Sequence, residues 1–379
     1  MTINTSVQIS KKFNVIVSRR ACVVQLALVV VCCIIAVGCN PHPKLQQPLQ
    51  TYSERLANVL DAEPPSQVSA VFSDIALATI SQPAHYIAFH PILSKVKSPP
   101  PATNQSLSLR EFQQLPNCHQ LKPIIAQQNS SLGRVQSPSQ YYLYQIEVVS
   151  LLTQCINHAE NNSLPKSQLT RLYQAKIQDL TNSRHWFLRT TPGIRRSLAF
   201  SATLLEPNWK QHQQTIRHWQ TLVSSPSATS EFPVDLPATM HSLNSALRNL
   251  EANPFPSQLY NTLNWYSFQI GALNTWLQAH LSNENCRSAQ AKTRVEYLEN
   301  IMTLFFINDI QIQGSKLSQL HYRLHPVVQQ LYATPLADTE MSKIVSEHQI
   351  IFERYQNSMK SHAIIWSEFF KRCHSALGR

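Results

Sequence analysis

Glycine is nearly missing from this sequence: 6 in 379 residues, standing singly at Gly38, Gly133, Gly193, Gly271, Gly314 and Gly378. Phosphate-cradling turns such as the P-loop and the dinucleotide fingerprint need clustered glycines, so enzymes built on those turns are excluded. Charge is scarce as well, with charged residues at 14% against roughly 25% in an ordinary soluble domain. Aspartate occurs only at positions 61, 74, 179, 235, 309 and 338, and none pairs recognisably with a nearby acid. Two-carboxylate glycosidase chemistry therefore has nothing to support it, although such pairs can be distant in sequence. The Gly-x-Ser-x-Gly elbow, the His-Glu-x-x-His helix and the Ser-x-x-Lys set are absent too, and no cofactor is expected. What is plentiful is apolar mass. Hydrophobic residues reach 43%, with 14 Phe, 12 Tyr and 6 Trp, enough to build a core and to exclude global disorder.

The first 20 residues carry Lys11, Lys12, Arg19 and Arg20 and no acid, and Ala21 to Gly38 is apolar or small except for Gln25. That is the layout of a secretory signal, or of a short membrane anchor. Ile35-Ala36-Val37-Gly38-Cys39 decides for the first. It resembles a bacterial lipobox, with Ala36 where Leu is usual, and makes Cys39 the residue that receives lipid and becomes the new N-terminus. Asn40 follows in place of the Asp that would suggest retention at the inner membrane, so the expected location is the outer membrane, facing the periplasm. Residues 1–38 are then a signal peptide and 39–50 an extended tether. Without its signal the chain keeps 28 basic and 21 acidic residues. This mildly basic balance suits an anionic envelope surface and is weak for a nucleic-acid binder, so no nucleic acid is expected as a partner.

Beyond Cys39 lie Cys118, Cys155, Cys286 and Cys373, in a compartment where disulfides persist. Four cysteines allow three pairings. The midpoint of 118 and 155 falls in the turn-like Gln136-Ser137-Pro138-Ser139, so two antiparallel helices meeting there bring the pair together. The midpoint of 286 and 373 falls near Gln329, close to Thr334-Pro335. Phe352, Met359, Trp366 and Cys373 keep a strict heptad on one long helix. The expected bridges are therefore 118–155 and 286–373, the second closing one long hairpin kinked near Gly314 or Pro326.

The expected fold is mainly α, an elongated bundle of long antiparallel helical hairpins. Its N-terminal lobe spans 51–222 and its C-terminal lobe 240–379, the two divided by the Ser/Pro-rich stretch 222–239 or continuous as one domain. Tyr52, Leu56, Val59 and Leu60 mark a helix after the tether, and residues 64–116, punctuated by proline, read as extended chain. Ser167 is a plausible cap for the helix carrying Leu169, Leu172, Tyr173 and Ile177. Thr191-Pro192-Gly193, flanked by alternating apolar residues, predicts a small β-hairpin over 185–200.

The lipobox, the stretch Thr51-Tyr52-Ser53-Glu54-Arg55-Leu56-Ala57-Asn58-Val59-Leu60-Asp61, Asn117-Cys118, Asn129-Ser130-Ser131-Leu132-Gly133 and Cys155 together resemble a family of bacterial lipoproteins. That family is catalogued as domain of unknown function 3080. The likeness would cover nearly the whole mature chain, and it implies a location and an architecture but no chemistry.

Candidate sites are few. His321 and His325, four apart, would share a helix face as half of a metal site, but a zinc site needs three or four protein ligands, and no metal is expected. Asn129 to Gly133 is better read as a helix end, with Gly133 in the left-handed conformation of a C-cap. Arg171 to His218 holds eight Lys or Arg against Asp179 and Glu206, interleaved with Trp186, Phe187, Trp209 and Trp219. Cations beside aromatics suit anionic glycans, lipid head groups or an acidic protein surface, with Arg184, Trp186, Arg189, Arg195 and Arg196 as the binding candidates. The expected function is a non-enzymatic scaffold or adaptor for an envelope partner. The alternative is an enzyme on peptidoglycan or lipid with residues dispersed in sequence.

Overall fold

The computed structural model describes residues 45–66, 118–159, 164–198, 203–282, 284, 286–332 and 339–376. The signal, Cys39 and the proline-rich stretch lie outside the described residues, apart from 64–66. The described residues from Pro48 onward form one compact unit, a mainly-α bundle with no strand among them.

Helix α1 (Gln47–Val59) buries Leu49, Tyr52 and Leu56 on one stripe. The end of the expected tether is thus helical: Leu49 continues the Tyr52 and Leu56 spacing back by one turn. Helix α2 (Leu121–Asn129) leads through a 3-10 turn (Gly133–Val135) to α3 (Pro138–His158), which Ser137 opens with a full capping box. Ser137 Oγ accepts from Gln140 N while the Gln140 side chain accepts from Ser137 N, so two orphan N–H groups are satisfied at once. Helix α4 is Leu164–Thr190, so Ser167 lies inside the helix and is not its cap.

The expected β-hairpin is replaced by the end of α4 and a short helix α5 (Pro192–Leu198). Proline at the first helical position gives up no hydrogen bond, and Leu180, Phe187, Leu188, Ile194 and Leu198 are buried in helical register. Gly193 serves close approach instead of a turn. A Cβ there would meet the backbone of Glu251 at 3.2 Å.

Helices α6 (Trp209–Val223) and α7 (Leu236–Ala252) are capped by Asn208 and Asp235. The stretch between them is a loop packed on α3, where Tyr142 donates to Pro226 O at 2.5 Å and Val234 N to Ser150 Oγ at 3.4 Å.

The core of the second half is α8 (Phe255–Leu281), buried on nearly every side. Helix α9 (Ala289–Ile301), a π-helical segment (Met302–Gln311) and α10 (Ile312–Tyr332) follow as one rod, and α11 (Thr339–Ala376) returns beside it. Tyr260 stacks on His348 and bonds to His321, Tyr266 bonds to Gln313, and Asn274 bonds to His362. Contacts therefore advance together along α8 and α11, which run parallel, while α10 opposes both. Gly314 lets the rod close on α11, because a Cβ there would collide with the Tyr355 hydroxyl. Gly314→Ala is expected to cost about 1–3 kcal/mol through overpacking. Adding Tyr355→Phe should recover part of that loss in a urea titration.

Candidate functional site

Five residues of the basic stretch fall at the α4–α5 corner. Arg184 turns inward, its guanidinium donating to Leu222 O and Val223 O at 3.3 Å and to Ser225 Oγ at 3.4 Å, so it satisfies the last carbonyls of α6. Arg196 pairs with Glu251 at 2.8 Å, both side chains about 60% exposed, a surface pair worth little to stability. Trp186 sets its ring edge-on to Tyr141 at 5.8 Å, with a buried indole N–H that has no hydrogen-bond partner. Arg189 and Arg195 are half-buried and engaged within the fold. Lys176 lies 2.7 Å from buried Asp179, and Trp219 is fully buried. Lys316 of α10 sits 5.4 Å over Trp209, tying the rod to α6. Much of the positive charge thus fastens helices to one another. Arg184→Met is expected to destabilise the fold by about 1–3 kcal/mol, since it removes three partly buried hydrogen bonds. Denaturant unfolding checks it.

The structure forms both expected bridges. Cys118 and Cys155 have Cα atoms 5.4 Å apart, Cys286 and Cys373 5.0 Å. The first joins the start of α2 to α3 among Leu121, Val148, Leu151, Leu152, Leu169 and Leu172. Beside it opens a cavity of about 360 Å³ lined by His119, Gln154 and His158 among others, with the His158 ring held by the carbonyl of Gln154 at 2.7 Å. At Asn129–Gly133, Ser130 Oγ accepts from Gly133 N at 3.2 Å and donates to Gln127 O at 2.6 Å. Gly133 does not adopt the expected left-handed backbone. It opens the 3-10 turn, where a Cβ would run into the carbonyls of Gln127 and Gln128.

Two buried polar clusters hold the second half together; the sequence paired His321 with His325 but gave no sign of their partners or of the second cluster. In the first, His321 and His325 stack at 5.0 Å between ring centres, Tyr260 bonds to His321 at 3.2 Å, and His348 stacks on Tyr260 at 3.6 Å. Phe352 covers His321 at 3.6 Å. Among the described residues no group of three His, Cys, Asp or Glu is disposed to hold a metal ion. Burial and the neighbouring His325 push His321 down to about 3, and burial with both neighbours depresses His348 strongly.

In the second cluster, His362 donates through Nδ1 to Asn274 Oδ1 at 2.6 Å, which leaves Nε2 to accept from the Tyr52 hydroxyl at 2.9 Å. The Trp366 N–H donates to the Tyr52 oxygen at 2.9 Å, and Asn274 donates to Ser358 O at 2.9 Å. Burial lowers His362 to about 3. This network locks α1 onto the parallel α8–α11 pair.

The molecule is thus a helical bundle with two disulfide clamps, whose buried histidines and tyrosines hold helices together. Residues 49–377 match the family described as Protein of unknown function (DUF3080), and the chain belongs to that family. No curated protein and no solved structure matches it.

Proposed function

We propose that this protein is a lipoprotein of the outer membrane, anchored through lipid on Cys39 with its bundle on the periplasmic side, and that it serves as a non-enzymatic scaffold or adaptor for an envelope partner. One observation carries the export half of this reading. All four cysteines beyond Cys39 are consumed in two pairs that join residues 37 and 87 positions apart. Distant cysteines matched this way are a feature of chains that fold in an oxidising compartment. The lipobox-like Ile35–Cys39 supports the anchor half of the reading.

For the adaptor half, the basic corner is partly engaged in internal bonds, while Tyr297, Leu304 and Ile312 along the rod are about half exposed. Large apolar side chains in water offer contact area to a partner. The test is photo-crosslinking in living cells from positions 189, 195 and 304, with 347 as control. A discrete protein, or an anionic glycan or lipid, captured at one of the three sites and not at 347 supports the adaptor. Capture no greater than at 347 from every site removes it.

A further inference from the structure

The buried seam of α11 carries two histidines, His348 and His362, fourteen residues apart on the heptad that also holds Tyr355 and Phe369. Each meets α8 at the matching place, Tyr260 for the first and Asn274 for the second. Each also meets one further element. His348 lies with the α10 histidines 321 and 325, and His362 with Tyr52 of α1 and Phe306 of the π-helical segment.

The hydrogen bonds leave little room for a second proton. His362 Nδ1 is already a donor to Asn274, so a new proton must sit on Nε2, where the Tyr52 hydroxyl and the Trp366 N–H both donate. Nε2 would become a donor to the Tyr52 oxygen, which already accepts from Trp366. The displaced Tyr52 hydrogen would then have no acceptor in a fully buried site. At the other station, stacked His321 and His325 would repel one another once charged, beside Tyr260 and His348.

Among the described residues, the titratable and polar groups facing these rings include Tyr52 from α1, Tyr260 and Asn274 from α8, His321, Tyr322 and His325 from α10, and Gln349 and Trp366 from α11 itself. No carboxylate among the described residues contributes to the titration of His321 or His362. A charge formed on either ring therefore has no carboxylate beside it among those residues.

We propose that the α8–α11 seam is an acid-operated latch. Protonation at the two histidine stations releases α1 and loosens α11 from α8 and α10, while the α2–α4 cluster around Cys118–Cys155 stays packed. The proposal rests on this geometry alone and stands or falls separately from the envelope location. Because the closed state keeps the rings neutral and the opened state protonates them at their ordinary value near 6.5, opening is resisted fully above that pH and progressively less below it. At pH 5 each released histidine favours opening by about 30-fold.

Hydrogen exchange of the full chain in detergent micelles, corrected for the intrinsic pH dependence of exchange, tests this between pH 7.5 and pH 5. Protection of segments 47–59 and 345–366 is expected to fall at least 30-fold while that of 140–155 holds. In His348→Phe/His362→Gln protein, which keeps His321 and His325, the fall should be at least 30-fold smaller than in the unaltered chain. Unchanged protection of 47–59 and 345–366, or an equal loss in 140–155, overturns the latch. Should the double variant fail to fold, ring NMR of the unaltered protein decides. Titration of His362 in step with the loss of protection supports the latch, and titration near pH 6.5 with protection intact contradicts it.

Discussion

Cys286→Ser/Cys373→Ser protein unfolds with a free energy lower by about 4–5 kcal/mol than the oxidised chain. The bridge spans 87 residues, and the loop-closure relation assigns a cross-link of that length about 4.6 kcal/mol at 25 °C. It closes the hairpin made by the rod and α11 at its open end, where Cys286 and Cys373 are 6% and 0% exposed. The Cys118→Ser/Cys155→Ser pair, whose partners are 37 positions apart, is expected to lose about 3.8 kcal/mol by the same relation. Urea titration of the two variants gives the order as well as the size. A larger loss at 118–155 would mean that strain or residual structure outweighs loop length.

Trp366→Ala is the next largest expected effect, about 3–5 kcal/mol for removing a buried tryptophan. Its ring is fully buried, stacked on Phe370 at 5.3 Å and edge-on to Phe369 at 5.9 Å. Trp366→Phe keeps most of that packing and removes only the N–H shared by the Tyr52 oxygen and His362 Nε2, so it should cost about 1–2 kcal/mol. The two variants also differ in where they act. The Phe variant should weaken hydrogen-exchange protection mainly in 47–59, because Tyr52 is the polar tie between α1 and α11. Equal weakening throughout 255–281 would show that the N–H supports the core at large.

What could be read from the residues was whatever depended on spacing along one helix. The heptad through Phe352, Trp366 and Cys373 is buried as expected, and the midpoints of both cysteine pairs fall in or near breaks between helices. The β-hairpin failed because Thr-Pro-Gly serves a helix start and a close helix crossing as well as it serves a turn, and short apolar runs suit either period. The histidine stations were out of reach for another reason. His348 joins His321 only because α8 and α11 run parallel with Tyr260 between them, a choice of packing that no local pattern encodes. Arg184 read as a binding candidate although it caps α6, a contact distant in sequence, while Arg196 stays on the surface beside Glu251.

Export and lipidation of Cys39 are tested most directly by intact-protein and peptide mass spectrometry of the chain purified from envelope membranes. The prediction is a chain that begins at Cys39, carries acyl groups on that residue, and keeps four unalkylated cysteines until it is reduced. A chain that retains residues 1–38, or one cut elsewhere with an unmodified Cys39, contradicts it.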